Sequence, residues 1–102
     1  MLVVLTTVGS AGEGESLARS IVGAKLAACV QILPPMTSVY VWEGKVQSES
    51  EHLLLIKTLE EKFDELGEFI RANHSYDVPE IVGMQAQKVT EDYLDWVRAV
   101  TS

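Results

Sequence analysis

The stretch from Leu26 to Thr58 constrains the fold of this chain more than any other. Leu26-Ala27-Ala28-Cys29-Val30-Gln31-Ile32 is a largely apolar run, interrupted by Pro34 and Pro35. It resumes as Ser38-Val39-Tyr40-Val41-Trp42, turns at Glu43-Gly44, and returns through Lys45 and Val46 to Leu53-Leu54-Leu55-Ile56. Two segments rich in β-branched and aromatic residues around a glycine-bearing turn read as a long β-hairpin. Each arm exceeds the roughly five or six residues of an ordinary strand, so its outer end reaches beyond a core of this size. The proline pair removes two backbone donors, so the first arm bends or lies at an edge there. Tyr40, Val41 and Trp42 fall at the outer end. Apolar side chains in that position call for a partner surface, and in a small protein a second copy of the chain is the natural one.

Around the hairpin the chain alternates strand and helix patterns. Leu2 to Val8, with its unbroken Leu-Val-Val-Leu, reads as a central strand. Ser10 and Glu13 have capping-box spacing, and Leu17, Ile21 and Val22 then recur at helical spacing up to the region of Lys25. After the hairpin, Thr58 and Glu61 repeat the box ahead of Phe63, Leu66 and Ile70. That helix is expected to stop near Asn73, a residue that tolerates the left-handed cap conformation. A polar connection from His74 to Glu80 leads to Val82, Met84 and Ala86, which alternate as in a half-buried strand. Thr90 stands at an N-cap position before a last helix with Tyr93, Val97 and Val100 as its apolar stripe. The order is β-α-β-β-α-β with an extra C-terminal helix. It is an α+β, ferredoxin-like arrangement in which two helices cover one face of an antiparallel sheet. The other face is left uncovered, a second reason to expect an oligomer. All 102 residues read as one domain with one core.

Charge and motif content exclude several functions. The net charge of −7 opposes binding to nucleic acid or an anionic membrane. No apolar run approaches the roughly 20 residues of a membrane-spanning helix. No basic leader precedes the first strand, and one cysteine cannot form an internal disulfide, so a reducing, cytoplasmic location is expected. There is no P-loop, G-x-S-x-G, H-E-x-x-H or C-x-x-C motif, and hence no sign of an enzyme or an organic cofactor.

The residues do resemble one family. Leu26-Ala27-Ala28-Cys29, Pro34, Ser38, Tyr40, Trp42-Glu43-Gly44-Lys45, Glu51 and Lys57-Thr58 look like the CutA divalent-cation tolerance proteins. So do His74-x-Tyr76-x-x-Pro79-Glu80 and Tyr93-Leu94-x-Trp96. The resemblance implies a cytoplasmic homotrimer of ferredoxin-like subunits whose hairpins pack on their neighbours. It implies a role in tolerance to divalent metals such as copper, and an architecture similar to the PII signalling proteins. Ser75 departs from the family, which usually has proline there, and this leaves the loop less restrained before Tyr76. Some members carry a cysteine where this chain has Thr6 and a histidine where it has Asn73.

The candidate groups each carry two readings. Cys29 is a soft ligand for copper or, within Ala-Ala-Cys-Val, a packed small hydrophobe. His52 reads as a lone exposed histidine. His74 is the leading metal ligand, through neutral imidazole with nearby carboxylates such as Glu80, or else a cap on the preceding helix. Lys57, Tyr76 and Glu80 form a ligand pocket or a buried network in which Glu80 pairs with Lys57. Tyr40 and Trp42 are expected at the trimer interface. The functional expectation is a trimeric protein of metal tolerance that binds copper-type divalent cations. The alternative is a PII-like ligand-sensing or scaffold trimer.

Overall fold

The computed structural model describes residues 1–102. Strands β1 (Leu2–Val8), β2 (Cys29–Ile32), β3 (Met36–Trp42), β4 (Lys45–Thr58) and β5 (Val82–Gln85) form one antiparallel sheet. Helices α1 (Ala11–Gly23), α2 (Phe63–Asn73) and α3 (Glu91–Thr101) complete the chain. The sheet order is β2-β4-β1-β5, and β3 pairs with the outer part of β4. This is the expected ferredoxin-like order, with the expected third helix.

Alternation along the strands builds the core. Leu2, Val4 and Val8 on β1 and Leu54 and Ile56 on β4 meet Leu17 and Ile21 of α1 and Leu66 and Ile70 of α2. Gly14 permits the approach of α1 to the sheet. A Cβ there would lie 3.2 Å from Val8 and 3.5 Å from both Ile32 and Leu54. At its start, α1 is capped as expected, the amide of Glu13 donating to Ser10 Oγ at 3.1 Å. It ends in a Schellman motif: Lys25 donates to the Val22 carbonyl, Leu26 donates to that of Ile21, and Lys25 itself takes the left-handed conformation at φ 60°.

The hairpin turn forms where expected. Glu43 (φ 51°) and Gly44 (φ 77°) sit between the paired residues Trp42 and Lys45, as a two-residue type I′ turn requires. The first arm, however, is two strands rather than one. Ile32 pairs with Leu54 and Met36 with Glu51, so Leu33, Pro34 and Pro35 face only Leu53 and His52. This extra residue is a bulge, and because side chains alternate with period two it reverses the faces of the arm beyond it. Val30 and Ile32 pack on the core, whereas the even-numbered Ser38, Tyr40 and Trp42 turn to the opposite side of the sheet. His52 is not the exposed bystander expected. It is partly buried, and its Nδ1–H donates to the Leu33 carbonyl at 2.9 Å, holding the bulge.

Other local expectations are corrected. Thr58 caps no helix. It is fully buried and its hydroxyl donates to the Leu26 carbonyl at 2.7 Å, while a short 3₁₀ turn (Glu60–Lys62) leads into α2. Helix α2 does end at Asn73, yet without a left-handed cap, and Asn73 Nδ2 donates back to Phe69. Val82 and Met84 are exposed rather than half-buried. The second face of the sheet is not bare either, because α3 lies against it with Lys57 Nζ 6.0 Å from the Tyr93 ring centroid. Val97 is buried there, but Val100 faces solvent. The long hairpin stretches the chain to 44 × 25 × 23 Å.

Candidate functional site

Where the outer hairpin meets the loop after α2, the second face of the sheet folds into a cleft of about 610 Å³. Tyr40 and Trp42 of β3 and Tyr76 of the loop give it three aromatic walls. Its charged groups are Glu49 and Glu51 of β4 with Asp77 and Glu80 of the loop, all carboxylates. The bulge creates the hairpin wall, since without it Tyr40 and Trp42 would face the other way.

Three contacts tie the loop down, each to a different element. His74, with its side chain wholly buried, lies 2.7 Å through Nε2 from the Thr7 carbonyl of β1, and its Nδ1 is 3.0 Å from the Tyr76 amide. A carbonyl only accepts and an amide N–H only donates. The ring is therefore the neutral tautomer with its hydrogen on Nε2. Ser75 donates through both its hydroxyl (2.7 Å) and its amide (3.3 Å) to Glu13 Oε2 on α1. A proline could make neither bond, so Ser75 restrains the loop by another route, contrary to the looseness expected from the sequence. The Tyr76 hydroxyl donates to Glu51 Oε2 at 2.7 Å.

Electrostatics follow from these contacts. Burial, then the hydrogen bond to Glu51 and the surrounding negative charge, push the Tyr76 pKa well above its ordinary 10.0. Tyr40 is also raised, through desolvation and its neighbour Glu49. Burial of Glu13 opposes ionisation, but the hydrogen bonds from Ser75 and the Gly9 amide hold its pKa below 4.5.

A phenol whose folded pKa is raised adds stability that is complete below the unfolded value and is lost as pH climbs past it. Thermal stability is therefore expected to fall above pH 10.0, in a step absent from Tyr76→Phe. At neutral pH the same variant is expected to be less stable by about 1–3 kcal/mol, because a buried carboxylate loses its donor. Melts of both proteins across roughly pH 8 to 11.5 check this. Parallel profiles would contradict it.

The candidate residues separate in the structure. Tyr76 and Glu80 do share the cleft, but Lys57 lies with Tyr93 and forms no ion pair with Glu80. Cys29 is only partly buried, on an edge strand, and is not the packed residue expected. Thr6 points into the core, fully buried, its hydroxyl without a partner. As a metal ligand His74 is corrected: both ring nitrogens are held by the backbone, leaving no free lone pair. Nowhere do three His, Cys, Asp or Glu side chains converge as a metal cage requires. The residues of this chain by themselves thus do not fit a tightly held metal. Sequence reasoning missed Glu49, Glu51 and Asp77 as lining, and placed Tyr40 and Trp42 at the trimer interface.

The sequence over residues 2–100 matches the family model described as CutA1 divalent ion tolerance protein. It is 49% identical over 100 residues to chloroplastic protein CutA of Arabidopsis thaliana, covering 98% of this chain and 55% of that protein. To the divalent-cation tolerance protein CutA of Thermus thermophilus it is 44% identical over 99 residues, covering 97% and 96%. The chain therefore spans about half the length of the plant relative but nearly all of the bacterial one. Among solved structures, the divalent cation tolerance protein of Thermus thermophilus superposes with a TM-score of 0.95 at 44% identity, covering 100% of both chains. CutA1 from Oryza sativa does so with a TM-score of 0.95 at 48% identity, covering 99% of this chain and 93% of that one.

Proposed function

Because the chain belongs to the CutA1 divalent ion tolerance family, we propose that it serves metal-ion tolerance as a homotrimer that gathers divalent cations, copper among them, loosely through carboxylates. One observation carries this reading: every charged side chain lining the cleft is a carboxylate, in a chain of net charge −7. Such a surface concentrates cations without a fixed coordination cage. The metal is then cargo, and binding is weak, salt-sensitive and stronger for Cu(II) than for Zn(II) by the usual stability order. The role we propose is one of binding, with the carboxylates as its ligands.

Calorimetric titration with Cu(II) and with Zn(II) tests it. Expected is shallow uptake that weakens in Glu49→Gln/Asp77→Asn and survives in any folded His74 variant. Tight, stoichiometric uptake that vanishes with His74 would return the site to the imidazole and refute this assignment.

A further inference from the structure

We infer that the loop after α2 is a proton-operated latch, in which protonation of the buried His74 ring releases the Tyr76 amide and pairs the ring with Glu13. The inference is independent of the metal role and uses only contacts within the chain. His74 is wholly buried by its own chain, so a neighbouring subunit can add to that burial but not undo it.

The hydrogen-bond pattern makes the latch. The ring is held at both ends, Nε2–H donating to the Thr7 carbonyl at 2.7 Å and Nδ1 accepting from the Tyr76 amide at 3.0 Å. Only an unprotonated Nδ1 can accept. A proton placed there sets two N–H groups against each other, and it creates a buried charge that needs a counter-ion. Glu13 Oε2 on α1 stands 3.9 Å from Nδ1. That is too far for a hydrogen bond, but a shift of about 1 Å brings it to charge-assisted length. Imidazole is the side chain that ordinarily changes charge between roughly pH 5 and 8. Glu13 stays ionised through that range, because its pKa is held below 4.5. The counter-ion is thus in place before the proton arrives.

The groups that face the ring fix the direction of the effect. From β1 comes the Thr7 carbonyl, which accepts in either state. From α1 comes Glu13, whose Oε2 also receives the Ser75 hydroxyl at 2.7 Å. The loop supplies the Tyr76 ring, 4.7 Å away between centroids, and behind it β4 presents Glu51 and Glu49. These charged neighbours are all acidic and favour the imidazolium, while the amide bond to Nδ1 favours the neutral ring. Attachment through the Tyr76 amide is therefore complete above the transition and is lost as pH falls through it. Tyr76 carries the bond to Glu51, so its release loosens the segment that leads into Asp77.

Nuclear magnetic resonance of the isotope-labelled full chain, with EDTA present to exclude metal, tests the latch from about pH 8 to about pH 5. The ring signals of His74 and of His52, the only other histidine, are followed with the hydrogen exchange of backbone amides, corrected for its intrinsic pH dependence. The expected result is a His74 titration accompanied by loss of protection at the Tyr76 amide, up to about tenfold per pH unit below the midpoint for one coupled proton. Val4 and Ile56, paired in the middle of the sheet, are expected to stay protected, which separates local release from acid unfolding. Glu13→Gln keeps an acceptor for Ser75 and removes the counter-charge. It is expected to move the transition to lower pH by at least about half a unit. A Tyr76 amide whose protection does not change, or follows His52 instead of His74, would overturn the inference. So would simultaneous loss at Val4 and Ile56, or a transition that Glu13→Gln leaves in place.

Discussion

His74→Ala is expected to lower the unfolding free energy by about 3–5 kcal/mol, the largest single loss for any polar side chain of the site. Its ring is completely buried and makes two good hydrogen bonds, at 2.7 and 3.0 Å. Removing it strands the Thr7 carbonyl and the Tyr76 amide, each at about 1–3 kcal/mol if water cannot reach them. The space left by the ring adds a cavity cost. The bonds also join β1 to the loop that forms one wall of the cleft, so local opening follows global weakening. Urea unfolding at fixed chain concentration measures the loss as a lower midpoint with an unchanged slope. A histidine acting mainly as a metal ligand gives the opposite pattern: metal-free stability close to wild type and abolished copper uptake. That outcome would show that the ring is free in solution.

Val41→Asp with Val46→Asp is expected to convert the assembly into monomers. Val41 and Val46 are paired across the hairpin and are 68% and 75% exposed, with Val39 beside them at 67%. Exposed β-branched side chains grouped on one strand pair make a template for association unless another surface covers them. They lie on the hairpin face opposite Tyr40 and Trp42, which are less exposed, at 37% and 43%. In the proposed trimer the exposed Val41 and Val46 meet the neighbouring subunit, while Tyr40 and Trp42 line the cleft of their own chain. In a lone subunit two such surface changes alter stability by no more than about 0.5 kcal/mol each. In a trimer they bury unpaired carboxylates, which costs several-fold more. Sedimentation of wild type is expected to give three times the 11.2 kDa of one chain, and the variant one. A wild type that sediments as a single chain would refute the trimer.

How much of this was legible beforehand depends on the range of each interaction. The strands, helices, Glu43-Gly44 turn and Ser10 cap were readable in sequence because each is set by neighbours within about four residues. The strand-helix order then limits topology to few choices, and the family motifs select among them. Local rules also misled where a distant partner competed: Thr58 satisfies the Leu26 carbonyl, 32 residues away, instead of capping a helix. The site lies almost wholly beyond such rules. His74 is committed to Thr7, 67 residues away, and Tyr76 to Glu51, 25 away. Whether Tyr40 and Trp42 face the cleft depends on one extra residue at Pro34-Pro35. The proline pair announces a break, but the bulge exists only relative to the pairing of β4. By itself, then, the sequence determined the elements, their order and the acidic, aromatic character of the chain. Tertiary structure alone decided which carboxylates line the cleft, which histidine nitrogens are occupied, and to which side of the sheet Tyr40 and Trp42 turn. Those depend on register and on long-range hydrogen bonds, which no local pattern encodes.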